Sequence, residues 1–284
     1  MSSRIHPTAM IQPGARLGEA VEVGPYCVIG PEVEIGDGTT IGPQVVIDGV
    51  TRIGRENRIV GQAALGGPPQ DLSYRGEPTE LVIGDRNTIR EFVTINRGTV
   101  KGGGVTRVGS DNLLMACCHV AHDCELKDRI ILANNVLLAG HVLVEENANV
   151  SGGAAAHHFV TIGAFAYVGG MTRIVQDAPP FMILEGHPSR VRGVNVIGLQ
   201  RGGVHEAEIE LLRQAFKRLW RSGEPRVRSL ERLRAECGDS RSVMRLAREL
   251  EETDLGAKGR YRESLRAEFQ RQGEERLLAG ATAR

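Results

Sequence analysis

Aromatic residues are scarce in this sequence: one Trp, four Tyr and six Phe in 284 positions. Aromatics supply much of the core of an ordinary globular domain, so the core here must be built from aliphatic side chains. Neither sign of charge is in excess, with 35 Lys and Arg against 35 Asp and Glu. That excludes the basic surplus of a dedicated nucleic-acid binder. No apolar run reaches the ~18 residues of a membrane span, and the opening MSSRIHPTAM lacks the apolar centre of a signal peptide. A cytoplasmic protein without a membrane span is the expectation. Cysteine is also sparse. Its five positions (Cys27, Cys117, Cys118, Cys124 and Cys237) are odd in number and show no CxxC spacing, which fits reduced thiols rather than a disulfide framework.

Glycine, by contrast, is abundant at 36 residues, well above the ~7% of an average protein. Residues 1–198 hold 28 of these glycines and 36 charged residues, whereas residues 199–284 hold 8 glycines and 34 charged residues. The boundary between two unlike regions therefore falls near Gly198. Within the first region an aliphatic residue recurs at every sixth position, from Ile5, Ile11, Leu17 and Val23 without a miss to Leu65. It returns at Ile83, Ile89 and Ile95, slips by one, and resumes from Val108 through Leu114, Val120, Leu126, Leu132 and Leu138 to Ile174, giving 26 such positions. A helix needs spacings of three and four, which this pattern lacks. Glycine often follows the aliphatic, and a small or β-branched residue stands two before it, as at Ala9, Val21, Cys27 and Val45.

Hexapeptide repeats of this kind build a parallel β-helix, with three short strands in each coil of about 18 residues. The aliphatic and the small residue before it point inward, while glycines serve corners that need φ > 0 or close backbone approach. The expected fold is mainly β, a parallel β-helix over 1–198 followed by a C-terminal α-helical domain over 199–284. Loops that break the period are expected at about 67–82 and 96–107, and excursions of this type tend to carry function. In the tail, Ile209, Leu212, Phe216 and Leu219 show helical spacing, as do Val243, Leu246 and Leu250.

Residues 18 apart become neighbours along such a coil, about 4.8 Å from one another. His122, His141, His157 and His158 then fall in one column across three coils, beside Gly140 and outside both inward positions. A polar stripe, a cluster of groups titrating near neutrality and a zinc site of the carbonic-anhydrase-like kind all fit this column. The HxxH at His119 and His122 does not choose among them.

Six stretches carry a more specific signal: IREFVTINRGTV (Ile89 to Val100), the glycines 102–104, VGSDNLLMACCHVAHDC (Val108 to Cys124), ILANNVLLAGHV (Ile131 to Val142), QDAPPF (Gln176 to Phe181) and RGVNVIGLQR (Arg192 to Arg201). Together they resemble the UDP-N-acetylglucosamine O-acyltransferase family, over nearly the whole chain. The resemblance implies a left-handed coil, a homotrimer with sites between subunits, and the first step of lipid A synthesis. In that step an (R)-3-hydroxyacyl group moves from acyl carrier protein to the 3-hydroxyl of UDP-N-acetylglucosamine. No cofactor and no metal are implied; the carrier-bound thioester is the co-substrate. His122 matches the family's general base, Asp123 the residue that orients it, and Gly140 the backbone N–H that steadies the oxyanion. His141 and His157 match substrate contacts, Gln70 and Asp71 hold the sugar, and Arg201 grips nucleotide phosphate. Gly170 matches the floor of the acyl groove, where the missing side chain admits a longer chain. His119, His158 and Asn195 complete the implied substrate-binding set. Arg213, Lys217, Arg218 and Arg221 could share a helix face that receives the acidic carrier.

The residues by themselves leave plainer readings open. Gly140 also fits a simple corner, Asp71 a turn residue, Arg201 a partner for the acidic tail, and Cys27, Cys118 and Cys124 packing. A 3-amino sugar nucleotide as acceptor stands as the second chemical reading.

Overall fold

A computed structural model of the chain describes residues 3–282; positions 1, 2, 283 and 284, at the outer ends of the two expected regions, lie outside the described residues. Each of the 26 periodic aliphatics falls in a short strand of its own, from Arg4–Ile5 to Arg173–Ile174. The strands stack into three parallel sheets, the faces of a triangular prism. In one coil Leu113–Leu114 lies on the first face, His119–Val120 on the second and Glu125–Leu126 on the third. Register follows the repeat, pairing Arg58 with Thr40, Leu113 with Ile131 and His119 with Leu137. Across the first excursion, Ile83 still pairs with Ile53, and across the second, Val108 pairs with Ile83. The coil is a left-handed parallel β-helix.

The core is one aliphatic column in which Ile29, Ile47, Leu65, Ile95, Leu132 and Val150 have essentially no exposure. Each such side chain contributes ~1.5–3 kcal/mol on burial, which is how a core can form with so few aromatics. The inward small position also accepts thiols and amides. Cys118 and Cys124 donate their S–H to the carbonyls of Ala133 and Ala139, while Asn57, Asn87 and Asn112 form a buried ladder in which Asn87 Nδ2 donates to Asn57 Oδ1 at 3.0 Å. All five cysteines are free.

Glycine serves both needs in this coil, positive φ at Gly14, Gly38 and Gly153 and close approach elsewhere. The left-handed conformation recurs three residues after the periodic aliphatic and falls on Tyr26, Gln44, Asp123 and His141 among others. Most glycines directly after the aliphatic are demanded by close approach: a Cβ on Gly42 would lie 1.8 Å from the carbonyl oxygen of Val60, in the next coil.

The first excursion runs between strands Ala64–Gly67 and Glu80–Ile83, and the second between Thr94–Asn96 and Val105–Val108, with a 3-10 turn at Val100–Gly102. A hairpin of Met182–Glu185 and Arg190–Val194 closes the coil. Beyond it come helices α1 (Val196–Arg201), α2 (Glu206–Arg221), α3 (Arg226–Cys237) and α4 (Arg241–Leu255). Their second core joins Ile209, Leu212, Leu230, Val243, Leu246 and Leu250 to Met182 of the hairpin. Two further helices, α5 (Tyr261–Ser264) and α6 (Arg266–Thr282), turn back along the coil, and α6 lies against the 3-10 turn of the second excursion.

Candidate active site

The edge between the second and third faces is made by residues 121–124, 139–142 and 157–160 of successive coils. The third residue after each aliphatic takes φ of 62° at Asp123, 64° at His141 and 64° at Phe159. Stacking then brings side chains from three coils into one file. The His122 ring meets His141 edge-on with centroids 5.2 Å apart, and His141 stacks on Phe159 at 4.1 Å. Edge residues of a bare coil would face solvent. His122, Asp123 and His141 do not, because the second excursion and α5–α6 pack around them: the His122 side chain is 12% exposed and that of Asp123 is fully buried.

Asp123 is the hub. Its Oδ1 accepts the backbone N–H of Thr99 at 2.7 Å, and its Oδ2 accepts both the Thr99 hydroxyl at 2.6 Å and His122 Nδ1–H at 2.7 Å. Thr106 Oγ1 in turn accepts the Asp123 backbone N–H at 2.8 Å. An acceptor-only carboxylate requires the proton on Nδ1 of His122, which leaves Nε2 with a free lone pair. Buried charge-assisted bonds of this kind are strong and fix geometry. Gly102 closes over the carboxylate, since a Cβ there would sit 2.0 Å from Asp123 Cγ.

Gly140 supports the imidazole. A Cβ on it would lie 2.6 Å from His122 Cε1 and 2.8 Å from Nε2, so the ring rests on bare backbone. Its carbonyl accepts from Phe159 N–H at 3.2 Å, whereas its own N–H meets no acceptor among the described residues. A free lone pair and a free backbone donor therefore stand side by side.

Burial pushes the His141 imidazole down to about 4, against the opposing pull of Asp123, so this ring is neutral at neutral pH. His141 Nε2 stands 3.8 Å from Asp123 Oδ2. His119 is also held below the ordinary imidazole range, chiefly by burial; its Nδ1 is 2.8 Å from Thr94 Oγ1. Ligand atoms of His122, Asp123 and His141 fall within 4.8 Å of one another. Both Asp123 oxygens and His122 Nδ1 are already committed to hydrogen bonds, an arrangement suited to proton transfer rather than to a ligand cage.

The remaining expected residues divide by distance from this hub. His157 and His158 lie one coil on, with ring centroids 3.8 Å apart, and His158 is exposed with its pKa lowered chiefly by burial of part of the ring. Asp71 sits in the first excursion; its Oδ1 accepts Ser73 N–H and Oγ–H, and the backbone bond is the main reason its carboxyl is held low. Gln70 beside it is exposed. Gly170 lies on a different edge, after the first face, where a Cβ would meet nothing closer than Gly152 O at 3.4 Å. Asn195 and Arg201 line a cavity of about 430 Å³ with Arg129, Tyr167 and Ile197. Asn195 also caps α1, accepting Gly198 N–H at 3.1 Å and donating to Phe165 O at 2.8 Å. Arg201 is exposed and pairs with no carboxylate among the described residues. On α2, Arg213 and Arg218 pair with Glu206 and Glu236 of their own domain.

Known proteins share this sequence and fold. The family model described as UDP-N-acetylglucosamine O-acyltransferase, domain 2, matches residues 177–258, and the bacterial transferase hexapeptide model matches residues 14–49. An acyl-(acyl-carrier-protein)–UDP-N-acetylglucosamine O-acyltransferase of Paraburkholderia phymatum is 52% identical over 246 residues, covering 86% of this chain and 94% of the relative. The chain belongs to the UDP-N-acetylglucosamine O-acyltransferase family. A second relative with that name, from Anaeromyxobacter dehalogenans, is 50% identical over 232 residues, 82% of this chain and 90% of its own. Among solved structures, LpxA of Acinetobacter baumannii superposes with a TM-score of 0.82 at 41% identity, covering 86% of this chain and 94% of the other. A UDP-N-acetylglucosamine acyltransferase of Bacteroides fragilis gives 0.84 at 37% identity, with coverage of 87% and 96%.

Within this O-acyltransferase the sequence did not single out Thr99, Thr106, Phe159, Arg262 or Arg266. The break in the period that contains Thr99 and Thr106 was the available signal. Nothing in spacing foretold that α5–α6 would reach the edge.

Proposed function

We propose that this chain transfers an (R)-3-hydroxyacyl group from acyl carrier protein to the 3-hydroxyl of UDP-N-acetylglucosamine, as the first step of lipid A synthesis. The observation that carries the proposal is the Asp123–His122 pair, with Nε2 left free directly over the Gly140 backbone. A sugar hydroxyl is a weak nucleophile. His122 Nε2 takes its proton as the oxygen attacks the thioester carbonyl, and Asp123 holds the ring and offsets the charge that forms on it. The Gly140 N–H donates to the oxyanion of the tetrahedral intermediate. Collapse of that intermediate breaks the C–S bond, and the leaving carrier thiolate recovers the proton from His122. Neutral His141, together with His119, His157, His158, Gln70 and Asp71, lines the acceptor side. Asn195 and Arg201 serve the nucleotide from their own cavity, and Gly170 leaves room for a long acyl chain.

That cavity and the dyad lie on different parts of the surface, which favours a homotrimer in which neighbouring subunits complete each site. The outer side of the second face supports this reading, because Met10, Val46 and Leu137 are between 44% and 59% exposed there and an apolar strip of this kind wants a partner. No described helix is long and apolar enough to cross a membrane, in keeping with a cytoplasmic enzyme. The deciding experiment is the mass of the product formed from a panel of 3-hydroxyacyl carrier proteins with UDP-N-acetylglucosamine or its 3-amino analogue. His122→Ala should lose ~10²–10⁴-fold in turnover with an unchanged circular dichroism spectrum; retained turnover would remove His122 as the base.

A further inference from the structure

Helices α5 and α6 begin after residue 258, where the match to the family model ends, yet they touch three supports of the reacting edge. Arg262 is the first. Its Nε donates to the backbone carbonyl of His141 at 3.2 Å, its Nη1 lies 3.5 Å from Glu125 Oε2, and its guanidinium stands 4.9 Å over the Phe269 ring, with the side chain 14% exposed. A guanidinium so enclosed is confined to one arrangement, and its hydrogen bond fixes where His141 sits. Arg266 is the second, 4.3 Å over the Phe159 ring on which His141 stacks. The third support is the 3-10 turn. Thr99 caps it by accepting Gly102 N–H at 3.2 Å while giving its two bonds to Asp123. Gly273 of α6 is pressed against that turn so closely that a Cβ would lie 1.9 Å from Val100 O, and Arg276 Nε donates to Gly103 O at 3.1 Å.

We infer that Tyr261–Thr282 is a positioning strap for the His122 reaction, acting through Arg262 on His141 and through α6 on the Thr99 turn that clamps Asp123. The inference rests on the acyltransferase reading above. Neither Arg262 nor Gly273 touches the reacting atoms; both set where other groups stand, and a misplacement of about 1 Å in an active site costs as much as ~10²-fold.

The test is steady-state kinetics of the full chain with a 3-hydroxyacyl carrier protein and UDP-N-acetylglucosamine. Arg262→Gln should lower kcat about 10-fold and leave the KM for the nucleotide within about twofold, while Arg262→Lys, which still donates to the carbonyl and pairs with Glu125, recovers most of the loss. Gly273→Leu, which must push α6 off the turn, should give the same kcat-selective loss by an independent route. Wild-type kcat in both Arg262→Gln and Gly273→Leu would overturn the strap, as would a rise in kcat, the mark of a cover rather than a support. A loss confined to KM would also overturn it. If Arg262→Gln does not fold, Arg262→Lys and Gly273→Leu decide between the same outcomes. A wild-type chain that forms no acylated nucleotide removes the acyltransferase reading itself, whereas an active wild type with unaltered variants removes the strap alone.

Discussion

Two neighbouring edges of the prism share one backbone and differ in everything laid upon it. On the edge after the first face, Cys117 and Asn135 take φ of 64° and 61°; on the edge after the second, Asp123 and His141 take 62° and 64°. The hydrogen bonds also correspond, with Asn135 N–H donating to Ala116 O and His141 N–H to His122 O, both at 3.0 Å. Yet Cys117 and Asn135 are exposed, while Asp123 is buried under Thr99 and His141 is half-buried beneath Arg262 and beside Phe159. The repeat supplies a platform at every corner. A site arises where an excursion and a returning helix cover one corner and exclude water from its charges, which strengthens each electrostatic interaction there.

The comparison breaks most sharply at Asp123. Asp123→Asn keeps the size of the side chain and favours the same left-handed backbone, but it replaces a charged acceptor with an amide that cannot offset an imidazolium. Turnover should fall by ~10²-fold or more, measured as product formation at saturating substrates, with coil content unchanged. A loss under threefold would show that the covered corner works without its charge. Gly140→Ala comes next. The added carbon has 2.6 Å to the His122 ring and the ring must turn away from it, so turnover should drop by ~10-fold or more while the thermal midpoint moves by only a few degrees. Retained turnover would mean that Nε2 need not stand over this backbone.

A smaller effect separates the edges by pH. His141 is held neutral by burial down to about 4, whereas an unfolded histidine titrates near 6.5. The unfolded chain therefore takes up a proton first as pH falls. Stability from this group is complete above about 6.5 and is lost progressively toward about 4, on the order of 3 kcal/mol in all. Urea midpoints across that window should fall less steeply for His141→Gln than for the wild type. Parallel slopes would place the acid sensitivity elsewhere.

The coil was legible because its period is imposed by burial. An inward aliphatic at every sixth residue cannot slip without facing solvent, so each of the 26 positions found its strand. Both readings of the glycines hold, approach at Gly42 and positive φ at Gly14 and Gly38, but the sequence did not show that residues such as Tyr26 and Gln44 share the left-handed corner. The hydrogen bond of His122 to Asp123 and the glycine under the ring fall in the AHDC and LAGH stretches, which resemblance to the family had singled out. Their cover was not singled out. Thr99 reaches Asp123 across 24 residues, a contact with no periodic trace. Helix α6 engages the turn through Gly273 and Arg276 acting on backbone carbonyls, so it needs no apolar stripe and leaves no helical pattern to find.

The least effect is expected on the uncovered edge, and it sharpens the contrast because the same replacement is used. Cys117 is exposed and holds a left-handed conformation that a side chain other than Asn, Asp or Gly adopts at some cost. Its N–H donates to Glu91 O at 3.0 Å, a backbone bond that any residue but proline preserves. Asn already occupies the equivalent place one coil on, at Asn135. Cys117→Asn should therefore leave turnover unchanged and shift stability by no more than ~0.5 kcal/mol, in the stabilising direction. Turnover and thermal midpoint measured beside Asp123→Asn give the comparison directly: one substitution, one backbone conformation, and an outcome set by what lies over the corner. A loss of turnover in Cys117→Asn would mean that the first edge also belongs to a working site.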